Sequence, residues 1–184
     1  MSGADTPDSV EVLGRLGPPD GPALFVLYTG GTFGMGMHDD GSLVPLDLRE
    51  LGAYLPFLRR LPLGLTVATF IDPIDSSAMG PSDWLDIADA IVANAPGHVG
   101  VVVLHGTDTM AYTASALSFL LDGIDIPIVL TGAQRPVTEL RSDGSENLVT
   151  ALAIAAGHLT GTELVPEVTI FFSDLLLRGN RAVK

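Results

Sequence analysis

Five short apolar runs recur along the chain, and stretches with helical periodicity separate them. The runs are rich in Val, Ile and Leu and do not alternate with polar residues, which is typical of strands covered on both faces of a sheet. We predict strands at residues 23–28, 65–71, 99–104, 126–131 and 168–173. Parallel strands joined by right-handed crossover helices then form an α/β fold, a three-layer sandwich with a mostly parallel sheet.

Between the predicted strands, apolar residues repeat with the spacing of helices that pack one face against a sheet. The first of these helices is predicted to begin at Gly80-Pro81, with proline at the first helical position and Asp83 in the first turn. Two further apolar stripes comprise Met110, Thr113, Ala114, Leu117 and Leu121, and then Leu148, Ala151, Leu152 and Ala155. We assign these stripes to packing and give them no functional role.

Charge and composition limit the classes of partner. With a formal net charge of −13 and only nine Lys and Arg residues, the chain lacks the side chains that neutralise phosphates, so no nucleic-acid partner is expected. No run approaches the ~20 apolar residues of a membrane span, so no membrane is expected either. The absence of cysteine excludes disulfides and thiolate catalysis. We therefore expect a cytoplasmic location.

The four histidines, His38, His98, His105 and His158, do not have the i, i+4 spacing of a helical metal site. We therefore expect no metal.

Residues 1–22 are acidic, rich in Gly and Pro and poor in large apolar side chains. Such a composition is typical of a flexible segment. It also lacks the basic start and apolar run of a secretory signal. We predict a flexible acidic leader over residues 1–22, followed by a single domain over residues 23–184.

Two of the predicted strands end in threonine-containing corners. Thr29-Gly30-Gly31-Thr32 follows the first strand, and His105-Gly106-Thr107-Asp108 follows the third. Because open α/β sheets bind ligands beyond the carboxyl ends of their strands, these hydroxyls favour hydroxyl chemistry or recognition of a small polar molecule. The alternatives are a plain glycine turn at the first corner and, at the second, Asp108 as a cap of the next helix.

Two further segments carry candidate groups. Asp75-Ser76-Ser77 suits a carboxylate ligand near a helix start, or else forms a local Asx or Ser turn. Lys184 is either a solvated charge or, if it lies beside Thr107 and Asp108, a group for proton transfer, since desolvation readily shifts a lysine pKa. We interpret His105 as a packing residue rather than a base.

Six segments occur in an order that resembles the amino-terminal domain of the bacterial-type L-asparaginases, in particular their cytoplasmic type I branch. They are Tyr28-Thr29-Gly30-Gly31-Thr32-Phe33-Gly34-Met35, Asp75-Ser76-Ser77, His105-Gly106-Thr107-Asp108-Thr109-Met110-Ala111-Tyr112, Thr131-Gly132-Ala133-Gln134, Arg141-Ser142-Asp143-Gly144 and Arg178-Gly179-Asn180-Arg181. The resemblance covers about residues 23–184. It implies hydrolysis of L-asparagine to L-aspartate and ammonia, without metal or cofactor.

The resemblance also implies catalytic roles. Thr32 is then the nucleophile that forms an aspartyl-enzyme ester. Thr107, Asp108 and Lys184 form the second catalytic group, in which Lys184 and Thr107 handle a proton or a water.

For the substrate, the resemblance implies a binding set of Asp75, Ser76, Ser77, Thr107 and Asp108. Asp108 holds the α-ammonium group of asparagine. Ser76, with its two neighbours Asp75 and Ser77, holds the α-carboxylate.

The sequence departs from the family pattern at two places. Many relatives carry a tyrosine on the mobile lid after the first threonine motif, whereas Gly41-Ser42-Leu43-Val44-Pro45 has none. The aspartate common after the two serines is Ala78 here. The missing tyrosine leaves open how Thr32 is activated, and Ala78 is expected to loosen the carboxylate pocket or the geometry of its loop.

The resemblance further implies a homodimer or homotetramer whose members carry a second, carboxyl-terminal domain. Since the chain stops at Lys184, we expect that domain to be absent and turnover by these 184 residues to be impaired. Two alternatives stay open: a non-catalytic amino-acid-binding or interaction domain, and the glutaminase subunit of a tRNA-dependent amidotransferase.

Overall fold

A computed structural model describes residues 7–37, 40, 42–161 and 163–184. These residues form a seven-stranded main sheet and a separate two-stranded ribbon. The strands are β1 (Val10–Leu16), β2 (Ala23–Tyr28), β3 (Met35–Met37), β4 (Leu43–Pro45), β5 (Gly64–Phe70), β6 (Gly100–Leu104), β7 (Ile128–Thr131), β8 (Val168–Phe172) and β9 (Leu175–Arg178). The helices are α1 (Leu51–Tyr54), α2 (Pro81–Asn94), α3 (Met110–Leu120) and α4 (Gly144–Ala156).

The main sheet has the strand order β1-β5-β2-β6-β7-β8-β9. The five central strands run parallel, while β1 and β9 pair antiparallel at the two edges. Each of the five predicted strands is confirmed: the first matches at both ends, and the other four differ by one or two residues at one or both ends. The ribbon pairs β3 with β4 in antiparallel register.

Helices cover both faces of this sheet, which confirms the predicted three-layer sandwich. Buried side chains of α2 and α3 pack on one face, and buried side chains of α4 pack on the other. The predicted start of α2 is also confirmed. The Gly80 N–H donates to the Asp83 carboxylate at 2.7 Å, so a side chain satisfies one of the free donors of the first turn. Within the described part of the chain, no helix is long and apolar enough to cross a membrane.

The predicted domain start at residue 23 is too late, because part of the predicted leader belongs to the main sheet. Residues Val10–Leu16, predicted to be flexible, form β1 and pair antiparallel with β5. The strand escaped prediction because Val10 is its only buried residue, so the apolar pattern of a half-buried strand is missing. The opposite edge strand β9 escaped for a similar reason, since all four of its residues are exposed. Residues 1–6 lie outside the described part of the chain.

The connections of β2 and β6 leave the sheet in opposite directions. From β2 the chain continues to β5 on one side, and from β6 it continues to β7 on the other side. The carboxyl ends of β2 and β6 therefore flank a topological switch point, the place where doubly wound sheets bind their ligands. Both threonine corners follow these two strands.

Candidate active site at the switch point

Thr29 ties the end of β2 to the end of β6. Its backbone N–H donates to the Leu104 carbonyl at 3.0 Å, and its side-chain hydroxyl donates to the same oxygen at 3.2 Å. The side chain is fully buried. This pair of bonds fixes the two strand ends side by side, so the segments that follow start from neighbouring points.

The two glycines of the first corner allow a close approach between backbones. Gly31 has a φ of 93°, and a Cβ atom there would lie 2.5 Å from the Gly106 Cα and 2.7 Å from the Gly106 nitrogen. Gly30 has a φ of 137° and lies against the Ile74 carbonyl in the same way. Only glycine fits such positions without strain and overlap. The first corner is thus more than a plain turn, because it packs directly on the second corner.

Thr32 and Thr107 directly follow the two glycines that touch. Both side chains are half-buried. Thr32 begins a single 3-10 turn that ends at Gly34. The structure therefore brings together the two threonine corners that the sequence places far apart.

The Asp75-Ser76-Ser77 segment joins the same cluster from the end of β5. The Ile74 N–H donates to the Thr29 carbonyl at 2.7 Å, and the Thr109 hydroxyl donates to the Ser76 carbonyl at 2.8 Å. The Ser76 side chain is buried and lies against Gly106. Of the three predicted carboxylate-binding residues, Ser76 is the one packed into the corner.

Asp75 and Ser77 are exposed and form a local turn. The Asp75 carboxylate accepts the Ser77 N–H at 2.9 Å. This hydrogen bond to the charged form lowers the pKa of Asp75 below its ordinary value. The Asx turn considered for this segment is therefore present, alongside the packing of Ser76.

Lys184 reaches the second corner from the far end of the chain. Its Nζ lies 2.8 Å from Asp108 Oδ1, and both side chains are about half-exposed. The 3-10 turn Gly179–Arg181 makes this contact possible, because Gly179 packs against Ser118 and Ala114 of α3. Asp108 does not cap α3: the cap position is Thr109, and no side chain bonds there. Asp108 pairs with the lysine instead.

Thr107 and Lys184 line a common cavity of about 250 Å³. Gln134 adds a polar group to its wall, while apolar side chains such as Met110 and Phe172 form much of the rest. A small molecule in this cavity would therefore meet a hydroxyl, an ammonium and an amide as well as apolar side chains.

His105 is the first residue of the second corner and is 1% exposed. Its Nδ1 is 2.6 Å from the Gly106 carbonyl, which accepts a hydrogen bond from the ring, and its Nε2 is 3.0 Å from the Met79 sulfur. Burial lowers the pKa of His105, against a smaller raising effect of the Gly106 bond. These contacts support its interpretation as a packing residue that holds the turn.

Tyr28, for which the sequence predicts no role, also belongs to this site. It is the last residue of β2 and only 4% exposed, and its hydroxyl donates to the Gly31 carbonyl at 2.8 Å. Burial raises the pKa of Tyr28 to about 12, and a hydrogen bond with the Gly34 backbone lowers it by a smaller amount. Its one sequence signal is a hydroxyl at the end of an otherwise apolar strand, directly before the glycine corner, and this signal does not indicate which group the hydroxyl contacts.

Asp143 also organises this edge of the sheet. Its carboxylate accepts the backbone N–H groups of Gln134 at 3.0 Å and Arg135 at 3.2 Å. The Asn147 side chain donates to the same carboxylate at 3.2 Å. These bonds hold the segment that presents Gln134 to the cavity beside Thr107.

Ser42 directly precedes β4 and forms a local turn with Asp40. Ser42 Oγ donates to Asp40 Oδ1 at 2.6 Å, and the Ser42 N–H donates to the same oxygen at 2.9 Å. These bonds to Ser42 lower the pKa of Asp40. Gly41 and His38 lie outside the described residues. Across the part that is described, no three His, Asp or Glu side chains are grouped to hold a metal ion.

Residues 23–184 match the protein family described as Asparaginase, N-terminal. L-asparaginase 1 of Escherichia coli K12 is 44% identical over 164 residues, which cover 88% of this chain and 47% of that protein. The crystal structure of L-asparaginase I from Vibrio cholerae matches with a TM-score of 0.79 at 44% identity, over 89% of this chain and 48% of that one.

A third relative is the probable cytoplasmic L-asparaginase of Campylobacter jejuni, whose crystal structure matches with a TM-score of 0.73 at 31% identity. The match covers 89% of this chain and 50% of that one. The chain thus spans about half the length of the relatives that it matches.

Proposed function

Because this chain belongs to the asparaginase family, we propose that the protein hydrolyses L-asparagine to L-aspartate and ammonia, with Thr32 as the nucleophile. The observation that carries the proposal is the contact between Gly31 and Gly106, which sets Thr32 and Thr107 at the same switch point. The pairing of Lys184 with Asp108 adds a titratable group at that corner. Nucleophile, proton carrier and substrate-binding groups are then available from four segments of one chain.

In the proposed reaction, the Thr32 hydroxyl attacks the side-chain amide carbon of asparagine. A new carbon–oxygen bond forms, the carbonyl oxygen becomes an oxyanion, and the hydroxyl proton passes to the leaving nitrogen. Ammonia departs and leaves an aspartyl ester on Thr32, which water then hydrolyses to aspartate. A threonine hydroxyl is a weak nucleophile at neutral pH, so an activating partner is needed.

Lys184 and Thr107 are our candidates for moving the proton or positioning the water. The Lys184 ammonium lies against Asp108, which keeps it near Thr107 in the shared cavity. General acid–base assistance of this kind contributes about 10²–10⁴ in rate. Loss of the lysine is therefore expected to lower turnover more than substrate binding.

Substrate recognition in this proposal combines an ionic contact at one end of the amino acid with a hydrogen bond at the other. The Asp108 carboxylate attracts the α-ammonium group of asparagine, with Thr107 beside it. The buried Ser76 hydroxyl, supported by the turn of Asp75 and Ser77, receives the α-carboxylate. The packing of Ser76 against Gly106 supports this assignment because both ends of the amino acid then meet the second corner.

We further propose that the active protein is a homodimer or homotetramer located in the cytoplasm. The relatives contain about twice the length of this chain, so residues beyond the matched half, or a second subunit, would complete the substrate pocket. The name of the Campylobacter jejuni relative supports the cytoplasmic assignment. The 184 residues alone should bind asparagine weakly and turn it over slowly. Sedimentation of the purified protein tests the assembly state.

The decisive experiment is ammonia release from L-asparagine, with L-glutamine as a second substrate. Thr32→Ala should reduce the asparagine rate to background, while the matched control Thr150→Ala, on α4, should leave it unchanged. Equal rates for Thr32→Ala and the unmodified protein would refute the proposal. Binding of aspartate without any turnover would favour the amino-acid-binding alternative.

A further inference from the structure

We propose that Tyr28 is a positioning residue: its hydroxyl fixes the peptide between Gly31 and Thr32 so that the Thr32 N–H faces the reaction cleft. In that orientation the N–H donates to the oxyanion that forms when Thr32 attacks. This inference rests on the proposed function, because it assigns a donor for the same reaction.

The hydrogen bond from Tyr28 defines the direction of one peptide group. The phenol oxygen lies 2.8 Å from the Gly31 carbonyl oxygen, on the buried side of the corner. Because a trans peptide is planar, its N–H points opposite to its C=O. The Thr32 N–H therefore points away from Tyr28 and the core.

The Thr32 N–H is also a free donor within its own turn. Thr32 is the first residue of the 3-10 turn Thr32–Gly34, and the first N–H groups of a helical turn have no acceptor inside it. A free backbone N–H next to a nucleophile is the usual element of an oxyanion hole. Here the donor belongs to the nucleophilic residue itself.

The corner needs such a fixing bond because its own backbone is permissive. Gly30 and Gly31 both have positive φ and no Cβ, so no side chain of their own restricts rotation of the following peptide. Tyr28 supplies a bond to the carbonyl that would have to be broken in a rotated peptide. With the hydroxyl removed, that penalty disappears.

Two parts of the Tyr28 side chain have separable effects. The ring packs against Gly34, where an added Cβ would overlap the ring atoms, so the ring sets the path of the turn. The hydroxyl sets the orientation of the Gly31 carbonyl. Tyr28→Phe keeps the ring contact and removes the hydroxyl, with its bond to the Gly31 carbonyl and its hydrogen bond with the Gly34 backbone, which makes it the informative variant.

Tyr54→Phe is the matched control. It deletes the same hydroxyl from a tyrosine of α1 whose partner is the Glu50 carboxylate, at 3.5 Å. Both variants and the unmodified protein are compared by steady-state kinetics with L-asparagine. We expect Tyr28→Phe to lower kcat by about 10–10²-fold with KM changed less than about threefold, since one lost oxyanion donor costs up to about 10³-fold. Tyr54→Phe should change neither constant.

A second readout reports on the peptide without catalysis. In Tyr28→Phe the amide resonance of Thr32 should shift and its hydrogen exchange should change, while amides in the middle of β2 stay as they were. A Tyr28→Phe protein with unchanged kcat and an unchanged Thr32 amide would overturn the inference. A fall in kcat that merely follows the loss of folded protein would overturn it too.

The inference and the proposed function fail in different ways. If Thr32→Ala abolishes ammonia release and Tyr28→Phe does not alter it, only the role of Tyr28 is lost. If Thr32→Ala leaves ammonia release unchanged, the reaction itself is misassigned, and the inference is overturned with it.

Discussion

Gly31 lies against Gly106 so closely that a Cβ atom on Gly31 would come within 2.5 Å of the Gly106 Cα. The two glycines follow β2 and β6, which are adjacent in the sheet but separated in sequence by three strands (β3, β4 and β5) and two α-helices (α1 and α2). Their contact sets the spacing of Thr32 and Thr107, because each threonine directly follows one of them. The absence of two side chains is thus a condition for assembling the site.

Replacing Gly31 with alanine tests this packing, and Gly97→Ala serves as a matched control. Both glycines have a positive φ, 93° and 87°, but a Cβ at Gly97 meets nothing within 4 Å. Gly97→Ala should lower the free energy of unfolding by roughly 1–2 kcal/mol from backbone strain alone. Gly31→Ala should cost about 1–3 kcal/mol more, because its methyl group overlaps backbone. Urea denaturation measures both, and equal losses would contradict the packing argument.

Removing the lysine of the Lys184–Asp108 pair should separate function from stability. The pair is about half-exposed, so solvent screening limits its contribution to stability to about 0–1 kcal/mol. Lys184→Met should therefore leave the melting temperature almost unchanged and lower asparagine turnover by about 10²–10⁴-fold.

Arg178→Met breaks a comparably exposed pair, Arg178–Glu167, and is the control that should spare turnover. A similar effect of the two variants on ammonia release would count against a role for Lys184.

Stability should fall in mild acid because of His105. Its folded pKa lies below the ordinary value of about 6.5 because the neutral ring is buried. Between these two pKa values the unfolded chain binds more protons, so stability present above about pH 6.5 is lost as the pH falls toward the folded pKa. Titration of this single group changes the free energy of unfolding by at most about 1.4 kcal/mol per pH unit.

The measurement is the free energy of unfolding at pH 7.5 and pH 5.5. His105→Asn should weaken the dependence between these pH values, whereas His158→Gln, at an exposed position, should retain it. An unchanged pH dependence in His105→Asn would argue against this linkage.

Deleting residues 1–17 should destabilise the domain and promote self-association. The deletion removes β1 and leaves the backbone groups of β5 unpaired at the sheet edge, where other chains can add. Glu11→Gln is the milder control: it keeps the strand and removes only the exposed ion pair with Arg49, worth about 0–1 kcal/mol. Light scattering and urea denaturation report the two effects. A monomeric deletion variant of full stability would show that β1 is dispensable.

The central strands of the sheet could be predicted from the sequence, whereas its two edge strands could not. The central strands and the start of α2 follow from apolar runs and from a Gly-Pro step with an acidic third residue, all of which are visible within a short window. The edge strands Val10–Leu16 and Leu175–Arg178 were missed because their side chains are mostly exposed. Their strand structure comes from pairing with a neighbour that no local pattern identifies.

The candidate site was also only partly predictable from the sequence. The threonine corners were recognisable from their residues, as was the serine of the third segment. The role of Tyr28 was not, because a buried hydroxyl has no direction until its acceptor, the Gly31 carbonyl, is in place. The packing of Ser76 against Gly106 likewise depends on the neighbouring strands.

By itself, the sequence determined the alternation of strands and helices, the residues at the strand ends and the family to which they belong. Those properties depend on residue type and short-range spacing, which any stretch of chain carries with it. Only the tertiary structure decided that β2 and β6 are neighbours, that Gly31 touches Gly106, and that Lys184 meets Asp108 across 76 residues. These contacts arise from how buried faces pack around a common core, and that packing is a property of the whole chain.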